Sequence, residues 1–194
     1  MYWDNPISVS FMNNRHQASF RLIQDLRFDS MLDVGCGSAR FLSLVGSHYP
    51  SAVLTGCDSD PGLVPVARSS CPKATILQGD FMQLAIQPNK KSARIVVLLE
   101  VLEHSHDPAK MLQKAARLAG DNGYVLVSIP RPELWHWRII WALWSRTLGR
   151  RWLGEHTGMT EKDLLRMADD CGLGIVKRSH FFFGCISILL MKKR

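Results

Sequence analysis

Three carboxylates, each placed where a short apolar run gives way to a turn, are the residues of this sequence best suited to chemistry. The first stands in LDVGCGSARF, where Asp33 precedes the turn made by Gly35, Cys36 and Gly37. Glycines between a strand and a helix let the backbone bend sharply and let a ligand approach closer than a Cβ would permit. The second carboxylate, Asp58, is followed by Ser59 and ends the next apolar run, 25 residues beyond Asp33. At such a tip it can accept hydrogen bonds from both vicinal hydroxyls of a ribose. Asp60, just before Pro61, is the expected helix cap, which leaves Asp58 free for the ligand. The third is Asp80, in Gly79-Asp80-Phe81 after a third apolar run, where a carboxylate beside an aromatic suits an adenine amine and its ring face.

The same residues narrow the ligand. A dinucleotide fingerprint needs another glycine where this chain has Arg40, and a phosphate-cradling loop needs a Gly-Lys-Ser/Thr that is missing. Asp33 would also repel a polyphosphate, so a ligand with a cationic centre fits better. Further along, VVLLEVLEHSHDP groups Glu100, Glu103, His104 and His106. Either histidine could act as general base toward a hydroxyl acceptor, His104 ahead of His106, with Glu103 as a third candidate in the same turn.

These residues need a scaffold that gathers strand tips along one edge. The runs MLDV, AVLTGC, ATILQ, RIVVLL and GYVLVSI alternate with helical stretches, which predicts a parallel sheet covered on both faces. RIVVLL is apolar throughout and reads as a central strand. Helices are expected from about Ser38, over DPAKMLQKAARLAG with Asp107 as N-cap and Pro108 at the first position, and over TEKDLLRMADDCG capped by Thr160. Two last runs, LGIVKRSHF and CISILLMKK, read as an antiparallel pair.

LDVGCGSARF, the Asp58 tip, QGDF and VVLLEVLEHSHDP stand in the order and spacing of the class I S-adenosylmethionine-dependent methyltransferases. The chain resembles that family over roughly residues 28 to 194, most of all the subgroup with an LEH motif that acts on quinones, lipids, sugars and other small molecules. The resemblance implies an α/β, Rossmann-like, doubly wound sheet of seven strands, order 3-2-1-4-5-7-6, with the last strand antiparallel. It implies that Asp33, Gly35, Cys36 and Gly37 hold the methionine part of S-adenosylmethionine. Asp58 and Ser59 would hold the ribose, Asp80 and the Phe81 backbone the adenine, and Glu100 would lie near the methionine amine. Two positions depart from the family: Ala39 where a third glycine is common, and Arg94 where an acid commonly opens the fourth strand. A methyl at a helix start is the milder change, and Arg94 is expected to lie far from the site.

The chain has 194 residues, 46% hydrophobic and 21% charged, which fits a single domain over residues 1–194 that folds without disulfides. Its five cysteines show no paired CxxC spacing, so neither a zinc ribbon nor a secreted framework is expected, and no metal site is. The N-terminus lacks the pattern of a signal peptide and no window reaches a membrane span; the expected location is the cytoplasm, with the inner membrane surface as a second possibility. Net charge is +7, and residues 131–194 hold 12 Lys/Arg against 6 Asp/Glu. Residues 131–156 form a tryptophan- and arginine-rich insertion between the fifth strand and the next helix. Trp137 and Trp141 begin a helical stripe there, and with His136 and His156 they are the candidate acceptor-binding residues. The insertion would lid a hydrophobic pocket or, through residues 131–152, rest on a membrane; exposed tryptophans also suit a homodimer interface. Apolar residues break up its charges, so nucleic acid is not the expected partner, although an RNA or protein acceptor and a non-catalytic cofactor-binding regulator stay open as alternatives. The leading expectation is methyl transfer to oxygen of a small, hydrophobic or lipid-like acceptor.

Overall fold

The computed structural model of the chain describes residues 6–87, 94–137, 139, 142 and 158–194. Helix α1 (Pro6–Ile23) leads into β1 (Ser30–Val34), α2 (Arg40–His48), β2 (Val53–Asp58), α3 (Leu63–Ser70), β3 (Thr75–Gln78) and β4 (Arg94–Leu99). A short 3-10 turn, Leu102–His104, precedes α4 (Pro108–Ala119) and β5 (Tyr124–Pro130); α5 (Glu161–Asp170), β6 (Leu173–Phe181) and β7 (Ile186–Lys193) complete the fold. One seven-stranded sheet results, with order β3-β2-β1-β4-β5-β7-β6. Strands β1 to β5 pair in parallel, while β7 runs antiparallel to both β5 and β6. This is the architecture that the sequence motifs implied.

Burial on both faces explains the apolar runs. In β4, Ile95 and Val97 pack into the core with α2 and α3, while Val96 and Leu98 pack into the opposite core with α4 and α5; all four are fully buried. An apolar side chain on each face removes roughly 1.5–3 kcal/mol worth of surface from water, which an alternating polar pattern could not do. Helix α4 starts as its sequence predicts, with the Asp107 side chain accepting from Lys110 N at 3.0 Å and Pro108 in the first turn. Helix α5 carries a full capping box between Thr160 and Asp163.

Two local expectations are corrected. Helix α2 begins at Arg40, not near Ser38, because Ala39 sits before it in a left-handed conformation with φ 57°. The departure at Ala39 is therefore less mild than its small methyl suggests, since a left-handed non-glycine residue costs about 1–2 kcal/mol. Its methyl is fully buried in the core and so does not crowd a ligand. Arg94, as expected, lies at the opposite edge of the sheet, donating to Ser30 Oγ at 3.4 Å and to Gln87 O at 3.1 Å. No helix among the described residues is long and apolar enough to cross a membrane.

Candidate functional site

Parallel pairing of β1 to β5 brings the tips of all five strands to one edge. Chain order reverses between β1 and β4, and the crevice at such a reversal is where open α/β sheets bind ligands. The Gly35-Cys36-Gly37 turn leaves β1 at this point. Gly35 has φ 64°, and a Cβ there would meet Val101 Cγ2 at 2.7 Å. Gly37 has φ 53° and open space around it, the cradle a ligand needs. Gly35→Ala therefore adds a clash to a strained φ; it should lower stability by about 2 kcal/mol or more and abolish ligand binding, read by thermal melting and calorimetry.

Asp58, at the tip of β2, is expected from the sequence to be free, but the structure gives both of its oxygens partners. Its Oδ2 accepts from Gly37 N at 2.7 Å and its Oδ1 from Asp60 N at 2.9 Å. One carboxylate thus ties the glycine turn to the β2 tip and orders the next loop, while each oxygen keeps a second lone pair for a hydroxyl. Ser59 is exposed beside it. Asp60 shapes the entry to α3, its Oδ1 accepting from Gly62 N at 2.7 Å.

Past β3, the exposed Asp80 accepts from Met82 N at 2.8 Å. Phe81 corrects the expectation that its ring face meets an adenine: the ring is buried beneath the Lys114 ammonium, 4.8 Å from its centroid, which leaves the backbone for a ligand. Lys114 was not picked out from the sequence. Its Nζ donates to the carbonyls of Phe81 at 2.6 Å, Met82 at 3.2 Å and Leu84 at 2.9 Å, using all three donors to hold the loop after β3. Nothing in the spacing of α4 marked it. Lys114→Met should weaken cofactor binding at least tenfold and lower stability by about 1–3 kcal/mol, with Lys114→Arg closer to the parent, measured by calorimetry and thermal melting.

A second residue missed from the sequence is Arg15, because α1 itself was not foreseen. Phe11 and Arg15 are one helical turn apart, on the same face of α1. Arg15 Nη1 lies 3.8 Å from Glu100 Oε2, and its buried Nε has no protein partner. Glu100, at the tip of β4, has φ 58° and accepts a hydrogen bond from Ser128 Oγ at 2.8 Å. Glu103 is buried, and its Oε2 has no hydrogen-bond partner in the chain. Burial, then the charge of Glu100, pushes its carboxyl well above the ordinary range, against the pull of Arg15. Asp33 is also buried, and desolvation followed by the charge of Asp58 raises it to about 8, again opposed by Arg15. The thiol of Cys36 is buried beside these acids, and desolvation pushes it well above its ordinary range. His104 and His106 are exposed in the loop that follows β4.

The residues present fit a cofactor with a cationic centre. Asp33, Asp58 and Glu100 gather at this edge, the buried Arg15 Nε has no hydrogen-bond partner in the chain, and the turn at Gly37 is open. Among the described residues no cluster could hold a metal ion.

On the acceptor side, Phe11 packs against Phe181 and Phe182 at centroid distances of 5.3 and 5.0 Å. His136 Nε2 lies 3.0 Å from Phe183 O, so the loop between β6 and β7 meets the start of the insertion. Trp137 is half-buried; Trp141 and His156 lie outside the described residues.

The fold and this edge define the architecture of the class I S-adenosylmethionine-dependent methyltransferases. The chain belongs to the methyltransferase-domain family, whose model matches residues 11–178. It is similar to the trans-aconitate 2-methyltransferase of Methylobacterium nodulans, 26% identical over 131 residues, which cover 66% of this chain and 50% of that protein. The chain thus spans about half the length of the curated relatives it matches. In fold it is similar to the magnesium protoporphyrin IX methyltransferase of Synechocystis PCC 6803 solved with SAH, with TM-score 0.72, 17% identity and coverage of 98% of this chain and 88% of that one. An O-methyltransferase from neocarzinostatin biosynthesis, solved with S-adenosylmethionine and 2-hydroxy-5-methyl naphthoic acid, matches with TM-score 0.62 and 20% identity, covering 98% of this chain and 59% of that one.

Proposed function

We propose that the protein is an active S-adenosylmethionine-dependent methyltransferase that methylates an oxygen of a small, apolar or lipid-like acceptor. The carrying observation is the face of α1, which sets Arg15 against Glu100 in the acid-lined site and, one turn away, Phe11 against Phe182 in an aromatic wall. An acceptor resting on that wall would lie beside the reactive end of the cofactor. The names of the relatives, an O-methyltransferase and a trans-aconitate methyltransferase among them, support oxygen as the target.

The cofactor, when bound, supplies an already electrophilic methyl group. What this chain's residues must do is hold and orient. Asp33, Glu100 and Arg15 bind the charged methionine end, Asp58 with Ser59 the ribose, and Asp80 with the Phe81 backbone the adenine. The wall holds the acceptor oxygen at near-attack distance, where orientation contributes most of the rate. His104, exposed at the β4 tip, takes the proton from the acceptor hydroxyl; His106 stands two residues further along the loop. His136 serves the wall: a carbonyl accepts, so its Nε2 donates to Phe183 O and the ring is fixed in place.

The test is turnover of labelled S-adenosylmethionine with phenols, quinols, long-chain hydroxy compounds and trans-aconitate. Methylation of the apolar hydroxyl compounds, with kcat lowered about 100-fold in His104→Ala and cofactor affinity kept, supports this reading. Turnover confined to trans-aconitate would replace the acceptor class, and bound cofactor without any turnover would favour a regulator.

A further inference from the structure

Strand β5, YVLVSIP, is apolar from Val125 to Ile129 except at Ser128, which is fully buried. A hydroxyl taken out of water at that depth is unfavourable unless a partner satisfies it. The partner is Glu100. Strands β4 and β5 run in parallel with Leu99 beside Ser128, so the hydroxyl meets the first residue past the end of β4.

The contact works in both directions. Glu100 N donates to Ser128 O and to Ser128 Oγ, each at 3.1 Å, and Ser128 Oγ donates to Glu100 Oε1 at 2.8 Å. The hydroxyl oxygen accepts from the amide and the carboxylate oxygen accepts from the hydroxyl, which fixes where the hydroxyl hydrogen lies. The backbone of Glu100 needs this support. Its φ is 58°, a left-handed conformation that is unfavourable for a residue with a Cβ and persists only where neighbouring contacts hold it. Ser128 thus grips the strained amide and the carboxylate of one residue together. With Oε1 committed to Ser128, Oε2 is the oxygen turned toward Arg15, 3.8 Å from Nη1. Both of these side chains are largely covered, Arg15 14% and Glu100 20% exposed, so water contributes little to holding them.

We propose that Ser128 is a positioning residue for the cofactor, fixing the Glu100 carboxylate so that Oε2 meets the amino-acid end of S-adenosylmethionine. Ser128 does this from beneath Glu100, fully buried and without touching the ligand. The inference rests on the reading that Glu100 and Arg15 bind the charged methionine end, and it adds to them a residue of a different strand. Its consequence is selective. Without the hydroxyl the carboxylate is free to turn, while Asp58 and Asp80, at the tips of other strands, keep the adenosine part of the site. Only a ligand that carries the amino-acid end should sense the change.

The experiment is calorimetric titration with S-adenosylhomocysteine and with 5′-methylthioadenosine, thioethers that share the adenosine part and differ in the amino-acid end. In Ser128→Ala, affinity for the first should fall about tenfold, while affinity for the second stays within about twofold of the parent. Ser128→Cys keeps the size of the side chain with a weaker donor; it should fall between the two, and it carries the test if the alanine chain does not fold. With Glu100→Ala already in place, adding Ser128→Ala should change S-adenosylhomocysteine affinity by less than about twofold, because the group it positions is gone. A parent chain that binds both thioethers alike would overturn the assignment of Glu100 to the amino-acid end, and the proposal with it. A parent that prefers S-adenosylhomocysteine, with variants that keep the full preference or lose both ligands alike, would overturn the role of Ser128 alone.

Discussion

Asp58→Asn is expected to weaken S-adenosylmethionine binding about 100-fold, since bonds from two ribose hydroxyls to a charged acceptor are each worth roughly 1.5–3 kcal/mol. The effect has two parts. Asparagine keeps the size of the side chain but has one acceptor oxygen in place of two, so it cannot take both Gly37 N and Asp60 N as Asp58 does. The glycine turn is then held less firmly, and stability should fall by about 1–2 kcal/mol while the sheet stays intact. Calorimetry gives the affinity and a melt the stability. Affinity within threefold of the parent would remove Asp58 from the ribose site.

The second large effect is in pH. Asp33 titrates at about 8 in the folded chain because it is buried and faces Asp58. Its folded pKa lies above the unfolded one, so its contribution to stability is whole below about 4 and is lost as pH rises through about 8. Glu103, raised by burial and by Glu100, acts in the same direction. The free protein should therefore melt at lower temperature as pH rises from 5 toward 9. Cofactor binding should show the opposite trend, because a cationic centre favours the ionised carboxylate. Affinity is expected to rise by up to tenfold per pH unit below about 8 and then level off. Asp33→Asn should flatten both profiles; a parent affinity independent of pH from 6 to 9 would contradict the role given to this group.

What the sequence made legible follows from where the constraint lies. The parallel sheet was readable because both-face burial writes continuous apolar runs such as RIVVLL, its strand order came with the resemblance of the motifs, and Asp33, Asp58 and Asp80 could be placed at one edge because each stands at or just beside the end of a run. Conformations set by tertiary contact were not readable. Ala39 has no local signal for its left-handed backbone, and Phe81 reads as a ligand platform until Lys114 is seen above it. The bonds of Asp58 to Gly37 and Asp60 depend on loops meeting in space. Helix α1 had a readable trace, since Phe11, Arg15, Ala18 and Leu22 recur at helical spacing. Arg15 belongs to that row, and its pairing with Glu100 joins residues far apart in the chain.

The most direct test of the account is calorimetric titration of the purified chain with S-adenosylmethionine and S-adenosylhomocysteine, with NADH as control. The account predicts one-to-one binding of the first two and no heat from NADH. A folded chain that binds neither, or that binds NADH in their place, would contradict it.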